Sequence, residues 1–259
     1  MINITFLGTC SGTEPMPGRH HCSTMLEVNS IYYFFDAGEN CAHRAYTSGV
    51  DVSRIRAVFI SHTHADHIGG LANLMAAIRK VSRVTGVPQI NNNSYDIFIP
   101  SLKKLESVKD VAGIPTTVTS GVADVGHEIC SDGVLFEDEN IRVTAIHNTH
   151  LKETGDNGWH SYSFLVEAEG KRIVISGDVG HRSELDPFTL PAPADVLIME
   201  TGHHSVAGVC EYAKGCNARR LFFTHHGREI LFDLEGAEKV IATYGIDARI
   251  MNDGDVISV

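Results

Sequence analysis

A chain of 259 residues with 43% hydrophobic side chains can bury a substantial core, which excludes a disordered or fibrous protein. Its 21 lysines and arginines against 32 aspartates and glutamates leave a formal charge of −11, a field that disfavours long nucleic acid and anionic membrane surfaces. Six cysteines (Cys10, Cys22, Cys41, Cys130, Cys210 and Cys216) lie scattered without a C-x-x-C pair, which argues against a disulfide framework and for reduced thiols.

The opening MINITFLGTCSG lacks the basic and apolar regions of an export signal, and no apolar run reaches the ~18 residues of a membrane helix. A cytoplasmic protein is expected, and a single domain over 1–259, because no linker-like stretch interrupts the chain. Strands are predicted in chain order at INITFLGT (2–9), TMLEV (24–28), IYYFFDAG (31–38), IRAVFISH (55–62), IRVTAIH (141–147), YSFLVEA (162–168), RIVISGD (172–178), DVLIME (195–200) and LFFTHH (221–226). Helical spacing marks IGGLANLMAAIRKVSRV, LKKLESVKDV, EYAKGC and REILFDLEGAEKVIATYG between them. The alternation gives an α/β class. The closing ARIMNDGDVISV places a DG turn signal between two strand-like runs and predicts a terminal hairpin.

Four apolar strands run into metal-capable side chains: IRAVFI into Ser61-His62-Thr63-His64, IRVTAI into His147-Asn148-Thr149-His150, RIVIS into Gly177-Asp178, and RLFFT into His225-His226. Ligands of α/β sheets gather at the carboxyl ends of strands, so the chemistry is expected at one edge. In SHTHADHIGG, an extended backbone over 62–66 would put His62, His64 and Asp66 on one side and His67 out of step, so that one segment addresses two ions. A helix N-cap is the competing role for Asp66. Three histidines in six residues would repel when protonated and strand ring nitrogens when buried, and a metal removes both difficulties.

H-x-H-x-D-H after an apolar strand, a later isolated histidine, the aspartate of SGD and a final T-H after LFF resemble the metallo-β-lactamase-fold hydrolases. FLGTCSGTEPMPGRHHCST and YFFDAGEN further resemble the branch that holds transfer-RNA 3′-processing endonucleases and small phosphodiesterases. The resemblance implies a four-layer αβ/βα sandwich of two mixed sheets flanked by helices. It also implies two divalent ions, zinc first and manganese or iron as alternatives. His62, His64 and His150 would hold one ion, with His147 the other candidate for the third place; Asp66, His67 and His225 would hold the second, and Asp178 would bridge. The reaction implied is hydrolysis by a metal-bridging hydroxide, which Asp66 would orient; two ions against two aspartates and a hydroxide leave about one positive charge for an anionic small substrate.

METGHHS supplies Glu200, His203 and His204 after a strand, and either histidine could serve the leaving group. Asp36 is expected beside the site, Arg19, His20 and His21 in a surface loop, and Lys103 and Lys104 on a solvated helix face. The endonucleases of the branch carry an RNA-gripping arm, whereas the stretch between His150 and Asp178 is largely taken up by SYSFLVEAEGKRIVIS, so a small phosphodiester is the leading substrate. Thioester or lactone hydrolysis, the endoribonuclease activity itself and a catalytically silent metal-bound sensor are the alternatives. The long segment between His67 and His150 is expected to form a lid, a contact between two copies of the chain in a homodimer, or ordinary connecting structure.

Overall fold

The computed structural model describes residues 1–115, 121–151 and 158–259. The first half of the chain supplies β1 (Ile2–Gly8), β2 (Ser23–Val28), β3 (Ile31–Phe35), β4 (Ile55–Phe59), β5 (Ser94–Ile99) and β6 (Ala123–Glu128). The second supplies β7 (Gly133–Glu137), β8 (Arg142–His147), β9 (Tyr162–Ala168), β10 (Lys171–Ile175), β11 (Val196–Glu200), β12 (Leu221–Thr224) and β13 (Ala248–Ile250), before β14 (Val256–Ser258) returns to the first sheet. Two seven-stranded mixed sheets result, ordered β14-β1-β2-β3-β4-β5-β6 and β13-β12-β11-β10-β9-β8-β7. In each, four of the seven strands run parallel: β3 to β6 in one and β10 to β13 in the other. Parallel strands are covered on both faces, which is why VLIME of β11 is buried throughout.

Between the sheets Phe35, Phe59 and Phe98 stack at 5.0 Å centroid spacings, with Phe136 and Phe164 edge-on, in one continuous apolar layer. Truncating Phe59 there would cost about 3–5 kcal/mol. The outer faces are closed by helices. Leu71, Leu74, Met75 and Ile78 fall on one side of the helix Leu71–Thr85 and bury against the first sheet; Val206, Val209, Cys210 and Ala213 of Val206–Gly215 do the same on the second. The four-layer sandwich of two mixed sheets flanked by helices is therefore as expected.

Three elements differ from what the sequence predicts. The stretch between the first motif and His150 is neither lid nor mere connection over most of its length, because it contributes β5, β6 and β7. β6 (ADVGHE) is an edge strand, half exposed and poor in β-branched residues, so its composition carries no strand signal. The terminal hairpin does not form: β13 pairs parallel with β12 in the second sheet, while β14 pairs antiparallel with β1 in the first. The turn at Asn252–Asp255 thus stitches the sheets together, with Phe6 N donating to Asp255 O and Gly254 N to Phe6 O. Finally, REILFDLEGAEKVIATY is two helices, broken at Asp233, whose carboxylate accepts from Gly236 N and caps the second.

Candidate metal centre and active site

Residues at the carboxyl ends of parallel strands of both sheets meet in one place. β4 leads into Ser61-His62, β10 into Asp178, β11 ends at Glu200, and β12 leads into His225. After His62 the backbone stays extended only to His64 (φ −70°, ψ 155°), and Ala65–Ile68 form a single helical turn. The extended reading of 62–66 therefore fails at Ala65. Asp66 and His67 are successive residues of that turn, so Asp66 does not share a side with His62 and His64 but joins His67, whose Nε2 lies 3.6 Å from Asp66 Oδ2. Nor is Asp66 the cap, a position that His64 occupies. The turn is pressed into the fold at Gly70, where a Cβ would meet Gly38 O at 2.1 Å, so only glycine lets the next helix start there.

Two groups of donor atoms form. His62 Nε2 lies 3.0 Å from His64 Nδ1, His150 Nε2 lies 3.2 Å from the same atom, and Asp178 Oδ2 stands 3.8 and 3.6 Å from His62 and His150. In the second group His225 Nε2 is 3.1 Å from Asp66 Oδ2, and Asp178 Oδ1 is 3.4 Å from both His67 Nε2 and His225 Nε2. Asp178 faces both groups, one oxygen to each. For bonds of 2.0–2.1 Å, tetrahedral ligand atoms stand ~3.3–3.4 Å apart, so these spacings suit a metal. His67 Nε2 and Asp178 Oδ1 are buried without a hydrogen-bond partner, a cost that a cation would remove. His147 is elsewhere, paired with Asp132 at 2.9 Å and stacked on Trp159.

Neighbouring groups aim the rings. Asp36 Oδ2 accepts from His67 Nδ1 at 2.8 Å and from Ser61 Oγ at 2.8 Å. Having donated its proton, Ser61 Oγ accepts from His62 Nδ1 at 3.1 Å, so both rings turn Nε2 inward. Asn148 Oδ1 accepts from His150 N and Ser161 Oγ, fixing the turn that carries His150. His225 adopts a left-handed φ of 47°, held because His226 N donates to Thr9 O and Ser11 Oγ to His226 O. Ser61 and Asn148 could not be singled out from the sequence, since a serine or asparagine at a strand end has many uses.

Charge divides the site. Burial, reinforced by neighbouring rings, pushes His62 well below the usual histidine range, and burial also lowers His150. Burial opposes a proton on His67 and His225 as well, but Asp178 with Asp36 lifts His67 well above its ordinary value, and Asp178, Asp66 and Glu200 raise His225 to about 9. Against burial, the His225 hydrogen bond and His67 hold Asp66 low, and His225 and His67 hold Asp178 low.

The two histidines of METGHHS separate. Glu200, fully buried, accepts from His203 N at 2.8 Å and contacts His203 Nδ1 at 3.2 Å; that hydrogen bond, against burial, raises His203. The His203 ring lies 4.7 Å from that of His150, at the rim of a cavity of about 380 Å³ bounded by Ser11, Gly12, His64 and Asp66. His204 instead donates from Nε2 to Val179 O and accepts at Nδ1 from Arg182. Lys104 is not simply solvated, because its Nζ donates to Thr63 Oγ1 between His62 and His64. Arg19 staples its loop to Thr9, Met251 and Asn252.

This architecture is the metallo-β-lactamase fold: the metallo-β-lactamase fold protein YhfI of Bacillus subtilis superposes with a TM-score of 0.75 at 17% identity, over 100% of both chains. Human tRNase Z, short form, superposes with a TM-score of 0.73 at 23% identity, over 99% of this chain and 98% of that one. The chain belongs to the family described as Anti-Pycsar protein Apyc1, which matches residues 2–201. It is also similar to Ribonuclease Z of Picrophilus torridus, 26% identical over 87% of this chain and 85% of that one. These relatives bear out the branch to which H-x-H-x-D-H and the opening loop pointed. Among the described residues, no helix is long and apolar enough to cross a membrane.

Proposed function

We propose that this metal-dependent hydrolase acts as a phosphodiesterase on a small substrate, with two divalent ions held at the sheet edge. The observation that carries the reading is Asp178 between two donor groups that open on a cavity of about 380 Å³, a size for a small molecule. His62, His64, His150 and Asp178 Oδ2 would hold one ion, and Asp66, His67, His225 and Asp178 Oδ1 the other. Asp36, Asp66, Asp178 and Glu200 bring four carboxylates into one buried region. Burying that charge unpaired is prohibitive, and two divalent cations supply four positive charges in return. Bound there, such ions provide Lewis acidity and lower the pKa of water toward neutrality.

The chain's own groups do the rest. Asp66 Oδ2 faces His67 and His225, leaving Oδ1 to accept and orient a proton of the attacking water. His203 lines the cavity with its Nδ1 engaged by Glu200, and the rise in its pKa that this hydrogen bond brings suits a general acid for the leaving oxygen.

Metal analysis of purified protein, combined with a panel of bis(4-nitrophenyl) phosphate, a thioester, a lactone, a β-lactam and a precursor transfer RNA, tests this reading. Two metal equivalents and phosphodiester turnover that disappears in His64→Ala are expected. Preferential cleavage of the transfer RNA, or of the thioester or lactone, would overturn the substrate half. A fully loaded protein inert on every class would overturn the enzyme reading in favour of a sensor.

A further inference from the structure

Beside the metal cavity, and sharing His203 as a wall, lies a second cavity of about 440 Å³ bounded by Gly180, Arg182, His204, Gly208 and Tyr212, with the exposed Glu211 as the one carboxylate among its lining residues. Its chemistry is unlike that of the donor groups. Arg182 is half-buried, and its guanidinium donates not to a carboxylate but to His204 Nδ1 at 3.3 Å. That nitrogen is a neutral acceptor, because the other side of the ring, Nε2, donates to Val179 O at 3.0 Å and fixes the tautomer. The His204 side chain is only 8% exposed, so the seat beneath the guanidinium is rigid. Among the described residues no ion pair includes Arg182. In a chain of net charge −11, this guanidinium keeps its positive charge and most of its N–H groups uncommitted.

The place is also shaped for it. Gly208 stands in the first turn of the helix Val206–Gly215, and a Cβ there would lie 3.0 Å from the guanidinium carbon. Glycine in that turn forgoes some helix stability, and what it admits is the Arg182 head group. The Tyr212 hydroxyl on the cavity wall is engaged by Asp186 and Thr189, at 3.0 and 2.9 Å, rather than by the guanidinium.

We propose that Arg182, seated on His204 and Gly208, forms a second anion subsite that takes a phosphate or carboxylate carried on one ester arm of the phosphodiester while the scissile phosphate lies at the metal centre. A planar guanidinium offers paired N–H donors to two oxygens of such a group, and lysine would not reproduce that fork. The subsite rests on the phosphodiesterase reading for what occupies the neighbouring cavity. It makes the preferred substrate one with two anionic groups, and His203 stands between them.

The test is equilibrium binding to the metal-loaded protein by isothermal titration calorimetry, with three non-hydrolysable probes: ethylphosphonate, 3-phosphonopropionate and ethane-1,2-bisphosphonate. Wild type is expected to bind at least one of the two-anion probes roughly tenfold more tightly than ethylphosphonate, a gain usual for a charge-assisted contact. Which of the two gains more identifies carboxylate or phosphate as the recognised group. Arg182→Gln should bring the ratio close to one. Gly208→Ala should reduce it several-fold by displacing the guanidinium, while the melting temperature stays at or above that of wild type. Equal binding of all three probes by wild type, or a preference that survives Arg182→Gln, overturns the subsite. Should the preference depend on Arg182 while no phosphodiester is turned over, the subsite stands and the reaction reading alone falls.

Discussion

The two donor groups that share Asp178 are prepared in opposite ways. His64 and His150 lie toward the opening; burial, aided by neighbouring rings, lowers His62, and burial lowers His150 against the pull of Asp178. His67 and His225 are fully enclosed, and carboxylates keep both rings protonated while no cation is present. Protons thus stand in for metal charge in the enclosed group, whereas in the open group His62 and His150 present free lone pairs from the start. Occupation of the enclosed group must therefore release protons from His67 and His225, whereas His62 and His150 have none to release.

Removing the residue common to both groups has the largest expected effect. Asp178→Ala should leave fewer than two metal equivalents and lower kcat/KM on bis(4-nitrophenyl) phosphate by roughly 10³-fold or more, about 4 kcal/mol of barrier. A variant that keeps both metals and most activity would show that the two groups do not share this carboxylate.

Asp36 separates the groups more finely. It bonds His67 directly but reaches His62 only through Ser61. Asp36→Asn keeps the shape and loses the charge, so metal affinity should fall about 10–100-fold, the usual effect of such supporting carboxylates. The fall should be concentrated in one of the two equivalents. Competition with a calibrated chelator reads both constants, and an equal loss at the two would contradict the asymmetry.

The first group is visible in the sequence because density itself is the signal: three histidines and an aspartate within SHTHADH are hard to satisfy together without a cation. Order along the chain then brings in His150, Asp178 and His225. What stays hidden depends on three-dimensional neighbours. Strand periodicity misplaces Asp66 because it holds only as far as His64, and the backbone turns helical at Ala65. Ser61 matters only because its hydroxyl spans Asp36 and His62, and Arg182 only because Gly208 and His204 seat it. In the fold, the apolar central strands can be read directly, whereas β6 lies at an edge where composition is uninformative. The terminal hairpin fails for a related reason: a DG turn records a reversal, not which sheets its two arms join.

The adjacent residues His225 and His226 sharpen the contrast within one dipeptide. Both are buried, yet His225 is raised to about 9 among Asp178, Asp66 and Glu200, while burial drops His226 to about 3 with a backbone carbonyl, Met251 O, 2.8 Å from its Nε2. For His226 the unfolded ring takes up a proton below ~6.5 and the folded ring does not. The unfolded state therefore binds more protons, and the stability that this residue lends above ~6.5 is lost as the pH falls toward 3. Between pH 7 and pH 5 the loss amounts to about 2 kcal/mol. His226→Gln retains an N–H for Met251 O but cannot titrate, so its urea midpoint in metal-free protein should decline less over that interval. Parallel decline in the two proteins would mean that His226 is not the group whose burial resists acid.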